Sequence, residues 1–127
     1  MGTVFSLTPP SSTGGSWTEA VLYRFAGSPS DGSNPFSGVV IGSGGVLYGT
    51  TRLGGSLDNG TVFSLTPPVS PGGSWTESVL YNFTGASDGN GPEGVVIGSG
   101  GVLYGTTSGG GNPICDFGCG TVFSLTP

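Results

Sequence analysis

The chain has 127 residues, with seven acidic and two basic side chains, no histidine and a formal net charge of −5. Two separated arginines, Arg24 and Arg52, cannot neutralise a run of phosphates, so we exclude nucleic acid as a partner and anionic membranes as a docking surface. Because histidine and lysine are both absent, the usual general bases and activated nucleophiles are missing, and we expect no catalytic residues and no enzyme activity. No segment approaches the roughly 18 apolar residues of a membrane span, so we also expect no membrane insertion.

The first two predicted elements are strands at Gly2–Pro9 (GTVFSLTP) and Trp17–Phe25 (WTEAVLYRF). Their side chains are rich in the β-branched and aromatic types that favour a pleated, half-buried surface. In a later copy of the second strand, period-2 alternation predicts that Leu80 faces one way and five side chains face the other way. These five are Trp75, Glu77, Val79, Tyr81 and Phe83.

The next segment, GVVIGSGGVLYGTT at Gly38–Thr51, predicts two strands joined by a tight turn. In its later copy, Val95–Ile97 is apolar on both faces, as expected of a strand buried on both sides. The turn Gly98–Gly101 supplies glycines that accept positive φ, which is typical of a hairpin.

The same elements then return in order. The string GTVFSLTP begins at Gly2, Gly60 and Gly120, so the period is 58 to 60 residues. This predicts one repeat array over 1–127, with repeat 1 at 2–59, repeat 2 at 60–119 and a partial third repeat at 120–127.

Four antiparallel strands in each period predict an all-β, propeller-like tandem repeat of four-stranded blades. We name the strand types A (GVVIGS), B (VLYGTT), C (GTVFSLTP) and D (WTE.VLY.F). The chain then runs C-D, A-B-C-D, A-B-C, which is nine strands and about two blades. Since open sheet edges invite association, we expect neighbouring chains to complete the array.

The string GVVIGSGG-VLYGTT…GG…GTVFSLTP…WTE.VLY.F resembles a kelch blade, although its repeat is longer and Leu-Tyr-Gly-Thr-Thr comes before the double glycine. More closely, GTVFSLTP, VLY.F.G..DG..P and LYGTT…GG…GTVF look like the bacterial Gloeo-Verruco tandem repeat. That resemblance implies a β-propeller-like array at the cell surface or outside the cell, and it implies no known activity. The residues after Met1 contain no charged or apolar leader region, so we expect any export signal to lie outside this sequence.

Two cysteines, Cys115 and Cys119, lie in one loop as C-D-F-G-C. A short-loop disulfide fits an oxidising, exported setting best, while free thiols and a metal site remain alternatives. The disulfide would pin the loop rather than hold the fold.

Two Asp-Gly segments, SDGSNP and SDGNGP, carry the oxygen-bearing side chains Asp31, Asn34, Asp88 and Asn90. Such oxygens suit Ca²⁺, although a full calcium loop needs more carboxylates than one per turn. Asp-Gly is more often a turn whose side chain bonds nearby backbone, and we expect no firm metal site or cofactor.

Aromatic side chains recur at equivalent repeat positions and would stack on sugar rings if exposed, although such positions more often pack between blades. They are Trp17 and Trp75, and Tyr48 and Tyr104. Glu19 and Glu77 suggest a glycosidase-type pair, but they occupy one slot of successive repeats, a blade apart.

Two functions are therefore consistent with the sequence. The first is a non-catalytic extracellular scaffold that assembles with copies of itself, head to tail, into a ring or filament. The alternative is a ligand-binding propeller that recognises a glycan or a protein through loops on one face.

Overall fold

The computed structural model describes residues 1–127, as eleven strands and two short 3₁₀ turns with no α-helix. The 3₁₀ turns are Ser43–Gly45 and Ser99–Gly101. The strands are β1 (Thr3–Thr8), β2 (Thr18–Arg24), β3 (Gly32–Ser33), β4 (Val40–Ile41), β5 (Leu47–Thr51), β6 (Leu53–Gly54), β7 (Thr61–Thr66), β8 (Thr76–Asn82), β9 (Asn90–Ile97), β10 (Leu103–Gly109) and β11 (Thr121–Leu125).

These strands form three main antiparallel sheets in succession. The N-terminal hairpin is β1-β2, the central sheet is β4-β5-β7-β8, and the C-terminal sheet is β9-β10-β11. With the strand types named above, the three sheets contain C-D, A-B-C-D and A-B-C, in this order. The predicted all-β arrangement of propeller-like blades is therefore confirmed. The structure adds one small ribbon, β3-β6, that the sequence pattern did not predict.

The turns between type A and type B strands are tight, as predicted. The Gly98 N–H donates to the Val102 carbonyl at 2.8 Å, and Gly100 has φ 71°, which a residue with a side chain rarely adopts. The glycine-rich string thus closes each A-B hairpin within four residues.

The prediction that the odd-numbered side chains from Trp75 to Phe83 all share one face is wrong. A β-bulge shifts the register between Val62 and Phe63, so that Val62 pairs with Tyr81 while Phe63 pairs with Val79. Because Leu80 is the extra residue, the later side chains switch faces, and Phe83 packs toward the C-terminal sheet.

Two apolar clusters join the sheets. The first lies between the N-terminal hairpin and the central sheet, and it consists of Val4, Phe25, Leu47, Phe63 and Leu65. The second lies between the central sheet and the C-terminal sheet, and it consists of Val62, Phe83, Val95 and Leu103.

The two junctions are built in the same way. Phe25 meets Phe63 edge to face with centroids 5.0 Å apart, and Phe83 meets Phe123 at 5.1 Å. A methyl group at Gly49 would lie 2.7 Å from the Phe63 ring, so the glycine of the type B strand makes room for the phenylalanine. The repeated sequence therefore produces a repeated junction.

No helix in the chain combines the length and the hydrophobicity needed to cross a bilayer.

Candidate assembly interface

The type C segment GTVFSLTP occurs three times with the same sequence but with different surroundings. Phe63 and Leu65 of the central sheet are 1% and 0% exposed, because they pack against the N-terminal hairpin. Their equivalents in β1, Phe5 and Leu7, are 54% and 53% exposed. In the central sheet, this face packs against the hairpin that precedes it in the chain. The equivalent face of the N-terminal hairpin is therefore uncovered.

Strand β2 continues this uncovered surface. Trp17 is exposed, whereas its equivalent Trp75 packs against the first cluster. Val21 is also exposed on β2, while its equivalent Val79 is half-buried. We call the surface formed by Phe5, Leu7, Trp17 and Val21 the N-terminal end face.

The C-terminal sheet is uncovered on its opposite side. Val62 is fully buried against this sheet, but its equivalent Val122 is 82% exposed. Tyr104 and Val96 are exposed on the same side, whereas Tyr48 and Val40 pack against the second cluster. We call the surface formed by Val96, Tyr104 and Val122 the C-terminal end face.

Two grooves mark the positions of strands that the outer sheets lack. One groove, of about 240 Å³, runs beside β11 and is closed by Val62, Tyr81 and Phe83 of the central part of the chain. A type D strand would lie there, since β8 occupies that place beside β7. A second groove, lined by Val39 and Phe63, runs beside β1 on the side where a type B strand would lie.

The family described as the Gloeobacter/Verrucomicrobia repeat matches residues 1–127. The chain belongs to this family. The match confirms the resemblance drawn from GTVFSLTP and LYGTT. No curated protein and no solved structure matches the chain significantly.

In this Gloeobacter/Verrucomicrobia repeat, the first Asp-Gly segment forms a buried turn. Asp31 is 5% exposed and accepts hydrogen bonds from the Ala26 and Gly32 N–H groups, each at 2.6 Å, and from the Tyr23 hydroxyl at 3.0 Å. Burial and the hydrogen bond to Asp31 raise the pKa of Tyr23 to about 12. Asn34 lies apart from this turn, exposed, with its side-chain oxygen 3.4 Å from the Met1 amino group.

The second Asp-Gly segment repeats the turn in a more open setting. Asp88 accepts hydrogen bonds from the Tyr81 hydroxyl at 3.0 Å and from the N–H and hydroxyl of Thr84. Burial alone would raise the pKa of Asp88, but these hydrogen bonds lower it. Asn90 begins β9, opposite Gly109. No three His, Cys, Asp or Glu side chains of the repeat approach one another closely enough to hold a metal ion.

The two glutamates of the type D strands differ in burial. Glu19 is exposed on the N-terminal end face, while Glu77 is half-buried between the hairpin and the central sheet. One carboxylate oxygen of Glu77 is buried and has no hydrogen-bond partner. Burial, and then the nearby Asp31, raise the pKa of Glu77 to about 7.

The loop between β10 and β11 contains a disulfide. Cys115 and Cys119 are bonded, with their Cα atoms 5.3 Å apart, as the sequence indicated. The side chains of Ile114 and Phe117 beside the bond are 84% and 93% exposed. The disulfide therefore closes a small loop with an apolar tip.

Sequence reasoning did not single out Phe5, Leu7, Val21, Val96 or Val122. Each is an ordinary apolar position of an alternating strand, and its burial depends on whether a neighbouring sheet is present.

Proposed function

We propose that this chain is a non-catalytic scaffold that assembles head to tail. The N-terminal hairpin of one copy joins the C-terminal sheet of another, so that β9 and β10 supply strand types A and B and β2 supplies type D. The single observation that carries this proposal is the pair of complementary end faces, which are built from the same side chains as the two internal junctions.

The internal junctions describe the contacts of the composite blade. Strand β2 of the second copy fits the groove beside β11, which Tyr81 lines, as Glu77 of β8 lies near Tyr23 at the first junction. In the alternative arrangement, in which β1 of the second copy is kept and β11 is displaced, the A-B pair of the first copy fits the groove beside β1. Burial of these apolar side chains drives the association.

The composite blade holds one type C strand too many. The segments Gly2–Pro9 and Gly120–Pro127 have identical sequences, so either fits the position between β10 and the incoming β2. The other segment is surplus and is displaced from the sheet.

The assembly is heterologous, because the N-terminal hairpin of one copy meets the C-terminal sheet of another. Such contacts close into a ring when the rotation permits and otherwise propagate as a filament. At about two blades per copy, three or four copies give about six or eight blades, within the range in which propellers close.

The disulfide supports a location outside the cell, because disulfides persist in oxidising compartments. We therefore propose that the scaffold is secreted or displayed at the cell surface.

Sedimentation velocity over a range of concentrations tests this function. We expect the wild-type chain to form larger species with rising concentration, and we expect V21D on one end face or V96D on the other to remain monomeric. V69D is the matched control, because Val69 is fully exposed and lies outside both end faces. A wild-type chain that stays monomeric at every concentration contradicts the proposal.

A second candidate function is ligand recognition by the disulfide loop, and the exposure of Phe117 on a closed loop favours it. An exposed ring that is held in place stacks on an apolar sugar face at low entropic cost. A glycan array tests this candidate: reproducible sugar binding that is lost in F117A and kept in W17A supports it, and absence of binding contradicts it.

A further inference from the structure

The first junction contains a carboxylate that its surroundings do not neutralise. Glu77 of β8 faces the N-terminal hairpin, and its buried oxygen has no hydrogen-bond donor. Its ladder partner in the central sheet is Leu65, which has no charge. The site therefore disfavours the ionised form of Glu77.

The titratable groups that face Glu77 do not supply a positive charge. They are Tyr23 and Asp31, which are joined by a hydrogen bond on the neighbouring unit. Because Asp31 is a carboxylate, its charge repels an ionised Glu77. Both burial and charge thus favour a protonated Glu77 in the closed junction.

The residues equivalent to Glu77, Tyr23 and Asp31 also occur in the chain, but there the glutamate is not in contact with the other two. Glu19 occupies the position of Glu77 on the exposed type D strand β2, and Tyr81 with Asp88 occupies the position of Tyr23 with Asp31. Tyr81 and Asp88 line the groove that an incoming β2 would fill. In the head-to-tail contact, Glu19 of one copy would therefore lie against the Tyr81–Asp88 pair of the other.

We propose that head-to-tail assembly takes up a proton at Glu19, so that the chains associate more tightly at pH 6 than at pH 8. This inference rests on the proposed function, and it identifies how that contact is regulated. In the free chain the Glu19 carboxylate is exposed to water, and in the contact it loses that water and meets the Asp88 carboxylate. A group that binds one proton on association changes the association constant up to about tenfold per pH unit.

Apart from Glu77, whose pKa is about 7, the chain has few side chains whose usual pKa lies in this range. It contains no histidine, and both cysteines are in the disulfide. Variants are therefore needed to assign the effect to Glu19.

Sedimentation equilibrium at pH 6 and pH 8 on the wild type, E19Q and E77Q tests the proposal. We expect the wild-type association constant to be about tenfold lower at pH 8, and the E19Q constant to be the same at both pH values. E77Q makes the same chemical change at the equivalent glutamate of the internal junction, away from the contact between copies. We therefore expect E77Q to keep the wild-type ratio of association constants between pH 6 and pH 8.

Two results separate the failure of this inference from the failure of the assembly. Association of the wild type that is equally strong at both pH values, or a pH dependence that E19Q retains, overturns proton uptake at Glu19 and leaves the assembly intact. Absence of association at every pH in all three proteins overturns the assembly and the proton uptake together.

Discussion

Val62 and Val122 occupy the same position of the repeated strand TVFSLT, yet Val62 lies inside a junction and Val122 lies in solvent. Their chemical identity is the same, so the difference comes from their surroundings: Val62 packs against the C-terminal sheet and its strand is flanked by β8, whereas Val122 lies on an edge strand. The same substitution at the two valines therefore compares a position inside a junction with an equivalent position outside one.

We expect V62A to lower the free energy of unfolding by about 2 kcal/mol, because it deletes two buried methyl groups and leaves a cavity. V122A, the same substitution on the C-terminal end face, should change it by less than about 0.5 kcal/mol in the monomer. Urea unfolding of both variants at low concentration measures the difference. Equal losses would contradict the assignment of Val62 to a junction.

We predict that Gly49 of the type B strand is required because a larger side chain would not fit there, and not because its backbone is flexible. A side chain at Gly49 would meet the Phe63 ring at 2.7 Å, so we expect G49A to cost about 2 kcal/mol through overpacking. Gly38 has nothing within 4 Å, and G38A should be tolerated. Thermal unfolding of the two variants tests this, and a G49A protein as stable as G38A would refute the packing argument.

The stability of the chain should fall as the pH rises through the range in which Glu77 titrates. Burial raises the pKa of Glu77 from 4.5 to about 7, so the folded chain binds a proton that the unfolded chain has already lost between these values. The free energy of unfolding therefore decreases between about pH 4.5 and pH 7. Discounted for solvent screening, we expect a loss of about 1 kcal/mol.

E77Q should remove this dependence and should stabilise the chain at pH 8 more than at pH 5. Urea unfolding at both pH values provides the measurement, with E19Q as the exposed control of the same charge change. If the wild type and E77Q showed the same pH slope, Glu77 would not be the responsible group.

The first Asp-Gly turn should contribute more to stability than the second. D31A leaves the Tyr23 hydroxyl and two backbone N–H groups without their buried acceptor, and we expect a loss of about 3 kcal/mol. D88A removes the equivalent acceptor where water replaces it, and we expect a loss of about 1 kcal/mol. Chemical unfolding of this matched pair would contradict the interpretation if D88A were the more damaging change.

Reduction of the disulfide should affect the loop and not the sheets. The bond links residues four apart in sequence, and chain entropy for so short a loop gives a stabilisation of about 2 kcal/mol. We expect far-ultraviolet circular dichroism to be unchanged after reduction, while the urea midpoint decreases. Loss of the β signal on reduction would show that the bond holds the fold.

Much of the fold could be predicted from the sequence because its signals are local and repeated. The glycines of Gly98–Gly101 predicted the tight turn of the A-B hairpin, which the structure contains. The order C-D, A-B-C-D, A-B-C followed from the recurrence of the four strings and agrees with the three sheets.

Other features depend on tertiary contacts that no single segment encodes. In the sequence, Leu80 fits the alternating pattern of a regular strand. Only the pairing of β8 with β7 shows the bulge. The ribbon formed by Gly32–Ser33 and Leu53–Gly54 has no strand-like composition. The two end faces become visible only when the burial of equivalent residues is compared between sheets.

Mixing the two end-face variants, V21D and V96D, tests the head-to-tail contact most directly. Each variant keeps one intact end face, so each should be monomeric alone, while the mixture should form a one-to-one dimer of twice the 12.5 kDa monomer mass and nothing larger. A mixture that sediments only as monomers, or a single variant that assembles as far as the wild type, would contradict the account.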